Sequence, residues 1–318
     1  MTFPIIDIID AAGRGHAHLS NATRMPAWIR QELGKGGNYA ETALAVNDHG
    51  LHTVCEEARC PNRGECWSRG TATFMLLGDT CTRACGFCAV KTGRPEEVDV
   101  DEPRRVSAAV VALGLQYVVL TSVNRDDVAD GGAGIFAATL GALRRQNHRI
   151  GVEFLTPDFR NVQTQAVATV MRILDDTSVP NVTPDTRLVW GHNMETVPRL
   201  YRNVRKGAKY ERSLELLAQV SALPGVQGKS ALMLGLGETR DEVLTVMRDL
   251  RSAGVQRLSL GQYLRPTRAH LPVVEYIHPQ VFAVYEDAGR TLGFDWIKAG
   301  PLVRSSYHAE EIQQPEGQ

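Results

Sequence analysis

Residues 73–90 read TFMLLGDTCTRACGFCAV. The apolar run Thr73–Gly78 predicts a strand. It feeds straight into a loop carrying Cys81, Cys85 and Cys88 as C-x₃-C-x₂-C. Three thiolates this close together can hold three irons of a 4Fe–4S cube, whose usual complement is four cysteines. The fourth iron then has no protein ligand, and an open metal position is where chemistry happens. A second triplet, Cys55, Cys60 and Cys66, lies just upstream as C-x₄-C-x₅-C, and the two triplets use every cysteine of the chain. Disulfides are one alternative, but the chain is long, poor in cysteine and without a secretory signal. Zinc is another. It favours paired C-x₂-C hooks with four ligands per ion, which two triplets of different spacing fit poorly.

Beyond the cysteine loop, strands and helices alternate. Strands are predicted at Tyr117–Thr121, Val152–Leu155, Arg187–Trp190, Ser230–Leu234 and Leu258–Leu260. Helices are predicted at Ser107–Leu113, Ile135–Gln146, Val162–Leu174, Arg212–Leu223, Asp241–Ser252 and Gln280–Leu292, with Thr239 as an N-cap. Six strand–helix units imply parallel strands with right-handed crossovers. They fall short of the usual eight, so the expected class is α/β, a partial (β/α)6 barrel of the TIM type with N-terminal and C-terminal extensions. The expected division is an extension over 1–70 with the upstream cysteines, a barrel over 71–295, and a C-terminal segment over 296–318 ending in a frayed tail. Loops after strand C-termini should carry the site. The cysteine loop, Ser122, Asn193 and Gly235–Glu238 all fall there.

Composition narrows the partners. The 318 residues are 43% hydrophobic and 22% charged, with a net charge of -1, so charge points to neither nucleic acid nor membrane. The longest apolar stretch, Ala108–Leu120, is broken by Gly114 and Gln116 and is too short to span a bilayer. Clustered free thiols imply a reducing, cytoplasmic setting. Arg199, Arg202, Arg205, Lys206, Lys209 and Arg212 crowd one segment. A solvated basic face is the default reading, and docking of an acidic partner is the sharper one.

The runs VCEEARCPNRGECW, GDTCTRACGFC and RSSYHA, with TSVNRDDVADGGA, EFLTPDFR, ETVPRLY, LMLGLGET, GQYLRPT and HLPV, resemble the lipoyl synthase family of the radical S-adenosylmethionine (SAM) superfamily. The resemblance spans about residues 50–309. It implies that Cys81, Cys85 and Cys88 bind a catalytic 4Fe–4S cluster, whose open iron takes the amino and carboxylate groups of SAM. Reductive cleavage then gives methionine and a 5′-deoxyadenosyl radical. It further implies that Cys55, Cys60 and Cys66 bind an auxiliary, sacrificial 4Fe–4S cluster with the serine before Tyr307, Ser306, as fourth ligand. The residues alone leave Ser305 open.

Thr121 and Ser122 match the place where the superfamily recognises the methionyl group, though their hydroxyls could equally cap a helix. The segment His192-Asn193-Met194-Glu195 resembles the N-H-N-x-[DE] pattern of biotin synthase, which implies that Asn193 and Glu195 bind the SAM ribose. Here Gly191 stands where that pattern begins with asparagine. The implied reaction inserts two sulfur atoms, at carbons six and eight, into an octanoyl chain on a carrier-domain lysine. The implied partners are octanoylated carriers (acyltransferase subunits of 2-oxoacid dehydrogenases, the glycine cleavage H protein) and a low-potential donor such as ferredoxin or flavodoxin. A biotin-synthase-like sulfur insertion enzyme is the nearer alternative, and a non-enzymatic iron–sulfur or zinc protein the more distant one.

Overall fold

The structure is a computed structural model that describes residues 25–29, 50–57, 62, 73–146, 150–175, 188–307 and 309. A short strand β1 (His52–Thr53) and helix α1 (Val54–Glu57) precede β2 (Thr73–Leu76), which is buried at every position. The cysteine loop is bracketed by two short paired strands, β3 (Thr80–Cys81) and β4 (Lys91–Thr92). Then follow α2 (Glu102–Ala112), β5 (Tyr117–Ser122), α3 (Ala133–Gln146), β6 (Gly151–Leu155), α4 (Gln163–Leu174) and β7 (Leu188–Gly191). The second half holds α5 (Tyr201–Val204), α6 (Tyr210–Ser221), β8 (Val226–Leu234), α7 (Arg240–Ser252), β9 (Arg257–Gln262), α8 (Pro279–Leu292) and β10 (Trp296–Gly300).

The main sheet runs β1-β2-β5-β6-β7-β8-β9-β10. β1 is antiparallel to β2, and every other neighbour is parallel. Among the described residues its two ends do not pair, so the barrel is partial, as expected. Six parallel strands were expected and seven are present. The additional one is β10, in register with β9 from Trp296↔Arg257 to Gly300↔Gly261. Its sequence, WIKAG, hides it. Only Ile297 is fully in the core beneath α8, with Ala299 partly buried against it, while the intervening Lys298 breaks the apolar run. The consequence is functional: residues 301–307 leave a strand C-terminus at the same rim as the cysteine loop.

Alternation sets the layers. Val118, Leu120, Val152, Phe154, Leu188 and Trp190 pack outward in one cluster with residues of α2, α3 and α4. Leu232, Leu234, Leu258 and Leu260 do the same with α7 and α8. Each such side chain contributes roughly 1.5–3 kcal/mol by leaving water. Phe154 lies between Phe136 and Trp190, with ring centroids 5.0 and 5.8 Å away. The other face of the strands is inward and more polar. Lys229 Nζ meets both oxygens of Glu153 at 2.8 Å, and Tyr117 Oη donates to Glu153 Oε2 at 3.1 Å. Thr239 caps α7 as expected, in a reciprocal pair: Glu242 N donates to its hydroxyl and Thr239 N to the Glu242 carboxylate. No helix among the described residues is long and apolar enough to cross a membrane.

Candidate active site

At the C-terminal ends of the strands lies a cavity of about 500 Å³. It collects Cys81, Cys85 and Cys88 after β2, Thr121 and Ser122 at the end of β5, Asn193 and Glu195 after β7, and Ser305 and Ser306 after β10. Residues as far as 225 positions apart in the chain (81 against 306) thus share one space because parallel strands all end on one rim.

The cysteine loop is held by backbone. Gly93 N donates to Cys81 O at 3.0 Å, and Cys81 Sγ accepts from the amides of Arg83 and Asn124 at 3.4 and 3.3 Å. Gly86 N donates to Val204 O, and Gly86 O accepts from Leu271 N. A Cβ on Gly86 would sit 2.8 Å from Leu271 Cδ1 and 3.0 Å from Asn203 O, which is why glycine stands there. Phe87 packs against the cluster of Val204, Leu236 and Tyr263, closing the loop's apolar side. All three cysteines are free and half-buried. Burial pushes the Cys85 thiol up to about 11 and the Cys88 thiol up to about 12. A bound iron supplies the positive charge that such sulfurs need to ionise. No three His, Cys, Asp or Glu side chains among the described residues converge on a single ion. A cube asks for something else, one thiolate on each of three separated irons. The donor set fits that group.

A buried charge network braces the loop from below, and nothing in the sequence pattern announces it. Arg83 donates bidentately to Asp126 at 2.7 Å and once to Asp158 at 2.8 Å. Asp158, 0% exposed, also accepts from Arg212 Nε at 2.8 Å. Burial alone would raise the Asp158 carboxyl, but the hydrogen bond and charge of Arg83, with His192 and Arg212 adding to them, hold it at about 2. Its contribution to stability is therefore complete above the ordinary carboxylate range and is lost as pH falls toward 2. Removing one partner of a buried pair costs about 3–5 kcal/mol. Asp158→Ala is expected to lower the unfolding free energy by about that amount in denaturant titration, and Asp158→Asn by less. An Asp158→Ala midpoint equal to that of the unsubstituted protein would rule this bracing out.

The expected SAM-pocket residues sit as follows. Gly191 ends β7 where a Cβ would lie 2.7 Å from Phe154 O, so the asparagine of the related pattern has no room here. His192 is buried between Thr156 O and Ser213 Oγ, at 2.8 and 3.0 Å. Asn193 Nδ2 donates to Glu195 Oε1 at 3.1 Å. Glu195 adopts φ +65, held there by Glu195 N to Ala231 O and Met233 N to Glu195 O. Burial raises its carboxyl, against the opposing charge of Arg205. Thr121 Oγ1 is spent on Leu155 O at 2.8 Å, whereas Ser122 Oγ is buried with no partner among the described residues.

Arg205, placed by the sequence in a basic face, instead lines the cavity. It bonds Tyr201 Oη and Ser213 Oγ, and no carboxylate pairs with it among the described residues. Arg212 belongs to the Asp158 network, and Arg199 pairs with Glu242 at 2.7 Å. Arg202, Lys206 and Lys209 remain exposed. The Gly235–Glu238 run is a turn. Glu238 accepts from the amides of Gly235 and Leu236, and a Cβ on Gly235 would sit 2.3 Å from Glu275 O. Asp130 likewise accepts from the amides of Gly132 and Gly134 at the start of α3.

Of the upstream triplet, Cys60 and Cys66 lie outside the described residues, as does the Cys55 side chain. Cys55 follows Val54, which lines the cavity. Asn62, between Cys60 and Cys66 and 1% exposed, donates to Leu302 O at 2.7 Å. The segment holding the upstream triplet is therefore tied to the chain just before Arg304-Ser305-Ser306.

The radical SAM superfamily model matches residues 75–250, and the model for the N-terminal domain of lipoyl synthase matches residues 10–60. The lipoyl synthase of Rubrobacter xylanophilus is 53% identical over 287 residues, covering 90% of this chain and 85% of that one. That of Burkholderia pseudomallei is 49% identical over 289 residues, covering 90% and 84%. Among solved structures, Streptococcus suis SuiB bound to S-adenosylmethionine superposes with a TM-score of 0.53 at 11% identity, covering 76% of this chain and 55% of that one. SuiB bound to precursor peptide SuiA gives 0.52 at 10% identity, covering 88% and 56%. At such identities the likeness shows the fold alone.

Proposed function

Since the chain belongs to the lipoyl synthase family of radical SAM enzymes, we propose that it inserts two sulfur atoms, at carbons six and eight, into an octanoyl chain carried on a lysine of a carrier domain, drawing the sulfur from an auxiliary cluster. The observation that carries this is the single cavity onto which Cys81, Cys85, Cys88, Glu195, Ser305 and Ser306 all open. SAM and the clusters, when bound, supply one-electron chemistry at carbons that have no acidic proton.

The protein's own groups bind, orient and shield. Cys81, Cys85 and Cys88 would hold three irons of the catalytic cube. Asn193 and Glu195 offer a donor and an acceptor to the ribose diol. The Ser122 hydroxyl, which has no partner among the described residues, would with Thr121 face the methionyl end. Arg205 feels the charge of Glu195 but makes no direct ion pair among the described residues, and its guanidinium suits a carboxylate. Cys55, Cys60, Cys66 and Ser306 would hold the auxiliary cube, a reading supported by the Asn62–Leu302 tether. Phe87 and Tyr263 keep water from the loop.

The test is product mass. Anaerobically reconstituted protein, with SAM and a low-potential reductant, should add two sulfurs to a peptide bearing octanoyl-lysine. Formation of 5′-deoxyadenosine without any sulfur added would reject the substrate assignment.

Two further outcomes follow from the same reading. Glu195→Ala should weaken SAM binding by about 1–3 kcal/mol, the cost of an unmet buried polar partner. Iron content should stay unchanged, and equal affinity by titration would remove Glu195 from the ribose site. The exposed Arg202 and Lys206 would face an acidic carrier. Reversing both to glutamate should raise KM for an intact octanoylated carrier domain severalfold at low salt, with no change for a short octanoyl-peptide. An equal effect on both substrates would count against docking there.

A further inference from the structure

Between β9 and α8 the chain runs from Tyr263 to His278 with no helix or strand. It contains the runs LRPT and HLPV, for which the chemistry above has no use. The segment is nevertheless fastened along its length. Tyr263 Oη donates to Leu271 O at 2.8 Å, Gln262 Nε2 to Glu275 O at 3.0 Å, and Val274 N to Gly235 O at 2.8 Å.

Two bonds cross from this strap to the cysteine loop. Leu271 N donates to Gly86 O at 3.0 Å, and His270 Nε2 lies 3.0 Å from Cys88 O. A carbonyl only accepts, so Nε2 must carry the hydrogen. In the neutral ring Nδ1 is then an acceptor. Its partner is the Thr267 hydroxyl at 2.8 Å, which can donate. One tautomer satisfies both contacts. The backbone around the ring is fixed as well. His270 N donates to Thr267 O, Ala269 N to Thr267 Oγ1, and Arg265 Nε to His270 O at 2.9 Å.

We propose that His270 is a positioning residue for the cysteine loop, its Nε2–H holding the Cys88 carbonyl, and so the Cys88 corner, against the barrel rim, with Thr267 selecting the tautomer. The inference rests on the reading of Cys81, Cys85 and Cys88 as cluster ligands. Cys88 is the last ligand of the triplet, where the loop turns toward β4. Groups that orient a ligand from behind typically change metal affinity or activity by about 10–100-fold when removed.

The experiment compares His270→Ala, His270→Gln and Thr267→Val in the full chain after anaerobic reconstitution. It reads iron and sulfide content, the electron paramagnetic resonance of the reduced protein with and without SAM, and the rate of 5′-deoxyadenosine formation. His270→Ala should alter the SAM-induced change in the resonance and slow cleavage by about 10–100-fold. His270→Gln, which keeps an N–H donor, should recover most of both. Thr267→Val should fall between, because either tautomer is then open to the ring. A His270→Ala protein with the unsubstituted resonance and rate overturns the inference. So does a His270→Gln protein no better than His270→Ala, since packing alone would then explain the loss. A parent protein with no SAM-responsive resonance overturns the cluster reading and this inference together, whereas a normal parent signal indifferent to His270 overturns this one alone.

Discussion

Replacing Cys81, Cys85 and Cys88 together with alanine should abolish 5′-deoxyadenosine formation and leave one cluster's worth of iron. Replacing Cys55, Cys60 and Cys66 should leave the same amount of iron, keep 5′-deoxyadenosine formation, and abolish sulfur insertion. The asymmetry follows from placement. The downstream triplet sits on a loop anchored by Gly86 to Val204 and Leu271, beside Glu195 and Asn193. The upstream triplet flanks Asn62, whose tie is to Leu302 in the C-terminal segment. The two anchors share no residue, so losing one set of thiols leaves the other loop's bonds in place. Iron and sulfide analysis, SAM cleavage and product mass on one preparation read all three expectations. Loss of SAM cleavage in a folded variant lacking the upstream cysteines would falsify this division of labour.

Much of this is legible in the sequence, and the reasons are local. The strands TFML, YVVLT and VEFL are short apolar runs buried on both faces, and a doubly buried strand writes itself as an unbroken run. Thr239 was legible because a threonine directly before an amphipathic run is a local N-cap signal. WIKAG was not, because β10 lies at the end of the sheet and mixes a core isoleucine with a lysine. The Arg83–Asp126–Asp158–Arg212 network was not, because its members lie up to 129 positions apart (83 against 212) and each alone looks like a surface charge. Arg205 was misread for the same reason: in a run with Arg202, Lys206 and Lys209, only the fold separates the inward guanidinium from its solvated neighbours. Asn193 and Glu195 were reached through a pattern whose first residue is changed. The structure explains the change by the closeness of Phe154 O to Gly191.

Ser306→Ala should bind most of its iron yet yield no two-sulfur product, and Ser306→Cys should bind iron at least as well and also fail. Ser305 and Ser306 both line the cavity, so position alone does not choose between them. Chemistry supplies the test. A hydroxyl oxygen is an unusual partner for an iron–sulfur cluster, where soft thiolate is the norm. A weak ligand suits a cluster that must open and surrender sulfur. In Ser306→Ala three thiolates remain, enough to hold a cube but not to place it correctly. In Ser306→Cys the fourth ligand becomes too firm to release. SAM cleavage should persist in both variants, because the downstream triplet and its anchors at Val204 and Leu271 are untouched. Ser305→Ala is the control and should give normal product. If instead Ser305→Ala loses the product while Ser306→Ala keeps it, the ligand is Ser305. If both make product normally, no serine takes part, and the hold of the C-terminal segment on Asn62 through Leu302 is structural only.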